Sequence, residues 1–144
     1  MVSPAPLEAG PDHGTENDWM ETMTINSRAK GARFERWVAN WLKGFGLNAR
    51  RGQQFSGGPD SPDVLGWPGV HIEAKAVERL NIDQAMSQAV GDAGTNLPLV
   101  IHKRNRGPVL VTFQLEDTTR LGSAIATLVG RAVYPEEQGV CDDL

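Results

Sequence analysis

Between Pro62 and Lys75 the chain reads PDVLGWPGVHIEAK, and few other segments leave the backbone so little freedom. Val64 and Leu65 form a short apolar pair, and Trp67-Pro68-Gly69 suits a three-residue hairpin loop. The residues that follow alternate: Val70, Ile72 and Ala74 share one face of a strand, while His71, Glu73 and Lys75 share the other. Such a loop pairs Gly66 with Val70, and the same register carried outward sets Asp63 opposite Glu73. Directly opposed residues have Cβ atoms roughly 5 Å apart. Two carboxylates at that distance repel by roughly 3 kcal/mol at an effective dielectric of about 20. Something must offset that repulsion: a shared proton, the Lys75 ammonium on the same face, or a divalent cation.

Oxygen ligands without His or Cys favour Mg²⁺ or Mn²⁺ over zinc. Lys75 can hold or activate an attacking water, or stabilise charge developing on phosphorus. Together these parts specify metal-assisted phosphodiester hydrolysis. A salt-bridged, solvent-facing hairpin is the plainer alternative, since Glu-x-Lys alone is common. Of the two Pro-Asp pairs, Asp60 sits in a Gly/Pro/Ser loop and reads as a turn residue. Asp63 leads into a strand in the right register and is the one selected.

Around the hairpin, a helix is expected from Asn26 or Ser27, either of which can cap it. Phe34, Trp37, Val38, Trp41 and Leu42 form its buried stripe, so both tryptophans read as packing residues. Glu35 falls at the stripe edge, half-buried. Gly44 and Gly46 end the helix. LNARRGQQF reads as a strand and SGGPDSP as a loop. NIDQAMSQAV is a helix capped by Asn81, with Ile82, Ala85, Met86, Ala89 and Val90 inward and Gln84 and Gln88 outward. LPLVIHK is a buried strand. After an NRG turn, PVLVTFQL returns antiparallel. A last helix follows, with Leu121, Ile125, Leu128 and Val129 as its spine. The order predicts an α/β fold: a mixed sheet of about five strands flanked by helices.

Composition bounds the rest. The net charge of −4 is misleading, because all 14 basic residues lie in 28–131. Glu8, Asp12, Glu16, Asp18 and Glu21 precede that body; Glu136, Glu137, Asp142 and Asp143 follow it. The body is thus net positive between acidic ends, which suits a polyanion such as nucleic acid or a merely mixed-charge surface. Residues 1–22 are expected to form an acidic, mostly disordered tail, with Trp19 and Met20 available to dock on a second subunit. The domain is expected over 23–131, and a second acidic tail over 132–144. The single cysteine, Cys141, permits no intrachain disulfide. With no signal sequence and no long apolar run, a cytoplasmic protein without membrane association is expected.

Pro62-Asp63 and Glu73-Ala74-Lys75 resemble the motif of the PD-(D/E)xK nuclease superfamily. Within it the chain is most similar to Holliday junction resolvases of the archaeal Hjc type and related phage-encoded nucleases. The likeness runs over about residues 28–116. It takes in GARFERWVANWL, with a helical Glu after Gly-x-x-Phe, then GFGLNARR, the hairpin, and a helix carrying Gln. The resemblance implies a restriction-endonuclease-like fold and metal binding by Asp63 and Glu73, with the Ala74 carbonyl as a further ligand. It implies that Lys75 is catalytic and that Glu35 reaches the same centre from the first helix. It also implies a homodimer, and, for a phage-encoded protein, action in the host cytoplasm.

The expectation is therefore a Mg²⁺-dependent DNA endonuclease (Mn²⁺ substituting) acting on four-way junctions in recombination and repair. Two alternatives stand beside it: a related nuclease of repair, recombination or packaging that cuts other DNA, and a non-catalytic DNA-binding module. Arg33, Arg36, Arg50, Arg51, Ser56, Gln88, Lys103, Arg104 and Arg106 are candidate nucleic-acid contacts. His71 reads as structural or solvated.

Overall fold

The computed structural model describes residues 16–52 and 61–133, with side chains described over 26–52 and 61–130. The chain divides into two units, residues 1–30 and 31–144, and everything below concerns the second except where a helix begins in the first. Among the described residues, three helices and five strands follow the order α1 (Glu16–Lys43), β1 (Arg50–Arg51), β2 (Val64–Leu65), β3 (Val70–Ala76), α2 (Ile82–Ala93), β4 (Leu97–Lys103), β5 (Leu110–Thr112) and α3 (Thr118–Val133). A single turn of 3₁₀ helix, Leu115–Asp117, leads into α3.

The sheet runs in chain order, β1 to β5. β3 and β4 are parallel and joined through α2, while the other neighbouring pairs are antiparallel. It is the mixed five-stranded α/β sheet with flanking helices that the alternating segments predict. The hairpin register is also the expected one, since Val64 pairs with Ile72. Its loop is anchored by Trp67, which is buried and donates from Nε1 to the Ala124 carbonyl of α3 at 3.3 Å. Gly66 is required here twice over. Its φ is +116°, and a Cβ would lie 2.5 Å from the Ala49 backbone.

Each face of the sheet has its own core. Val64, Val70, Ile72, Ala74, Leu97, Leu99 and Ile101 pack with Phe34, Val38, Ala39 and Leu42 of α1 and with Leu128 of α3. On the other face, Val100 meets Ala85 and Ala89 of α2, which is capped by Asn81 as expected. Its Oδ1 accepts from the Gln84 amide at 3.0 Å. Among the described residues, no helix is long and apolar enough to cross a membrane.

Several local readings change. The first helix does not start at Asn26 or Ser27; it runs on from Glu16, so residues 16–22 of the expected tail are helical. Residues 1–15 and 134–144 and the side chains of Trp19 and Met20 lie outside the described residues, as does most of the SGGPDSP loop with Ser56 and Asp60. Trp37 and Trp41 are not core residues, being 49% and 46% exposed. The apolar stripe of α1 is wider than the sheet can cover, and the helix seats itself on Phe34, Val38 and Leu42. Glu35 and Ala39 are buried with them. The tryptophans are left at the other margin, where Trp37 stacks on Phe34 and Trp41 meets Phe45 edge-on. On α3 the same effect leaves Ile125 and Val129 exposed, while Leu128 is buried and Leu121 and Ala124 are partly so. Val90 of α2 is likewise exposed.

Candidate active site

Asp63 stands immediately before β2 and is gripped from both sides. Its amide donates to the Ile72 carbonyl at 2.9 Å, and its carbonyl accepts from the Gly52 amide at 2.8 Å. The second contact needs glycine, because a Cβ on residue 52 would fall 2.2 Å from the Pro62 carbonyl oxygen. The side chain turns toward β3, where Oδ2 accepts from the Ala74 amide at 2.8 Å. Asp63 is thus tied to the residue between Glu73 and Lys75.

The electrostatics follow from that position. Burial pushes the Asp63 carboxyl up to about 6. The Ala74 amide works against that shift; Glu73 and Glu35 reinforce it, and Lys75 opposes it. Of the four charged residues singled out in the sequence, the other three are all felt at the Asp63 carboxyl.

Glu35 is more buried than its place at the stripe edge suggests, at 8% exposure. Its partner is Arg51 of β1, whose Nε donates to Oε2 at 2.5 Å. Arg51, a candidate phosphate contact by sequence, is here an ion-pair partner. Glu73 is 2% exposed, and its Oε1 lies 2.9 Å from Nε2 of His71, which is equally enclosed. His71 is therefore a buried partner of Glu73, in keeping with its structural reading.

A neighbour that the sequence reading missed is Asp92. Ligand atoms of His71, Glu73 and Asp92 all lie within 4.8 Å of one another. The signal was present: α2 must run back against the parallel strands β3 and β4, which returns its last turn to the beginning of β3. Asp92 also follows the inward-facing Ala85 and Ala89 at helical spacing, next to buried Ala93.

The donor set suits a hard divalent cation. Among the described residues the donor atoms that converge are those of His71, Glu73 and Asp92. Asp63 and Glu35 stand outside that group, though Glu73 and Glu35 are close enough to help raise the Asp63 carboxyl, where added positive charge is favourable. Carboxylate oxygens fit Mg²⁺ or Mn²⁺.

The remaining candidates are spread over the surface. Arg33, Arg36 and Arg50 are exposed, as is Gln88 on the outer side of α2. Lys103 is half-buried at the end of β4, and Arg104 and Arg106 are exposed in the turn after it.

Scanned against protein-family models the chain matches none, and no curated protein matches it by sequence. Among solved structures it is similar to Hjc of Archaeoglobus fulgidus, a Holliday junction resolvase from an archaeal hyperthermophile. Identity is 26% and the TM-score 0.41, over 58% of this chain and 72% of that one.

Proposed function

We propose that this chain is a metal-dependent DNA endonuclease of the PD-(D/E)xK type, with branched DNA, foremost the four-way junction, as its substrate. The observation that carries the reading is the seating of Asp63. Its carboxylate is fixed on the Ala74 amide, between Glu73 and Lys75, by a hairpin register that the sequence alone anticipates.

In this reading Asp63, Glu73 and the Ala74 carbonyl hold Mg²⁺ or Mn²⁺, with Glu35 facing the same centre from α1. When bound, the cation supplies Lewis acidity at the phosphate and activation of water near neutral pH. Lys75 orients the attacking water and meets the charge that develops on the phosphate oxygens. His71 and Arg51 hold Glu73 and Glu35 in place. The basic body supplies the sequence-independent attraction to the phosphate backbone. The preference for junctions rests on the motif resemblance, and with it the homodimer, whose two-fold axis would pair two cuts.

The test mixes purified protein and Mg²⁺ with labelled four-way junction, flap, single strand and linear duplex. Symmetric nicks confined to the junction are expected. Equal cutting of plain duplex would remove the junction assignment and leave a general nuclease. Binding without cutting of any substrate, in Mg²⁺ or Mn²⁺, would leave only a DNA-binding module.

A further inference from the structure

A cleft of about 370 Å³ opens beside the candidate active site and takes no part in the chemistry above. It lies between the segment joining β3 to α2 and the turn joining β4 to β5. Its apolar wall is formed by Leu80, Ile82, Pro108 and Leu110, and its rim carries Arg79, Lys103 and Arg104. Glu78 also lines it, but Oε2 of Glu78 is already engaged by the Asn105 amide within the turn. His102 also lines it, with Nε2 2.9 Å from Oγ1 of Thr112. Burial holds the His102 imidazole below its usual range, so the positive charge comes from the rim.

The position of the cleft gives it meaning. His102 is the partner of Lys75 in the parallel register of β3 and β4, so the two lie side by side on one face of the sheet. Leu110 is in turn the partner of His102 on β5. A nucleic-acid strand with a phosphate at Asp63, Glu73 and Lys75 and crossing the sheet toward β5 therefore passes over this opening. The volume falls in the range of about 300–1,000 Å³ typical of small-ligand sites. An apolar slot under a basic rim is what an unstacked base and its phosphate require.

We infer that the cleft bounded by Ile82, Leu110, Arg79 and Lys103 is a nucleotide subsite, which takes one base unstacked from the substrate next to the phosphate held at Lys75. The inference rests on the nuclease reading for the identity of the strand.

The experiment places 2-aminopurine, whose fluorescence rises when it leaves the base stack, at successive positions near the branch of a four-way junction. Protein is added in EDTA so that nothing is cut, and anisotropy reports binding in parallel. A rise confined to one position is expected with the native chain. Leu110→Trp fills the cleft from a half-exposed strand position, so it should remove that rise and weaken binding on the order of tenfold. The melting temperature should not change. Lys103→Ala should reduce the slope of log affinity against log salt by about 1. Binding with no rise at any position, or a rise that survives Leu110→Trp in a folded protein, would overturn the subsite and leave the nuclease reading intact. A rise without cleavage in Mg²⁺ would overturn the nuclease reading and leave the subsite. Absence of DNA binding would overturn both.

Discussion

Nε2 of His71 lies 2.9 Å from Oε1 of Glu73, and both residues are enclosed. They stand two apart on β3, so they share the face that also carries Lys75. A buried carboxylate needs a donor, and here the imidazole supplies it from the same strand. The contact fixes one oxygen of Glu73 and thereby the direction of the other.

His71→Leu leaves that carboxylate buried without its donor. Stability should fall by about 3 kcal/mol in urea titrations, and Mn²⁺ affinity should fall with it. His71→Gln, which keeps a donor, should recover part of both. If Leu and Gln behave alike in the metal titration, His71 does not position Glu73.

Asp63 sets a pH dependence. Its carboxyl titrates near 6 in the folded chain against 3.8 for the free group, so the fold retains a proton that the unfolded chain releases. That contribution is complete below about pH 4 and is lost as the pH rises through 6; by pH 8 it amounts to a cost on the order of 3 kcal/mol. Asp63→Asn keeps an acceptor for the Ala74 amide and removes the charge. The metal-free variant should therefore melt several degrees above the native chain near pH 8 and close to it near pH 4. It should also lose the stabilisation that Mg²⁺ gives the native chain. A variant that melts lower than the native chain at pH 8 would contradict the electrostatic account.

Arg51 and Glu35 should behave as a coupled pair. A double-mutant cycle with Arg51→Ala and Glu35→Ala, followed by chemical denaturation, is expected to show a coupling of about 1–2 kcal/mol. Arg51→Ala alone should cost more than the double variant, because it leaves a buried carboxylate unpaired. Strictly additive effects would mean that the ion pair does not hold Glu35.

Gly52→Ala tests the backbone that carries Asp63. The new methyl would meet the Pro62 carbonyl oxygen, so the Asp63 segment must move. The variant should keep its helical circular dichroism, because β1 lies at the sheet edge. Mg²⁺-dependent thermal stabilisation should drop sharply. Unchanged metal response would mean that the position of Asp63 is not set by this contact.

The hairpin was legible because its determinants are local. Loop length and period-two alternation fix the partner of Val64 before any tertiary contact forms. The same holds for the Asn81 cap and for the apolar run of β4. From these alone come the mixed sheet and the register that ties Asp63 to the Ala74 amide, on the strand that carries Glu73 and Lys75.

What periodicity does not supply is the angular centre of burial on a helix. A stripe such as that of α1 or α3 is wider than the contact a sheet offers, and packing chooses which part is covered. That choice buried Glu35 and exposed Trp37, Trp41, Ile125 and Val129. The ion-pair partner of Glu35 was equally out of reach of local pattern, since Arg51 comes to it from 16 residues away. Asp92, although its helical spacing faces inward, comes near Glu73 only because α2 folds back along β3. The sequence by itself determined the register that assembles the carboxylates. Only the tertiary structure decided that Arg51 holds Glu35, because a buried charge without a local donor takes its partner from whatever packing brings within hydrogen-bond distance.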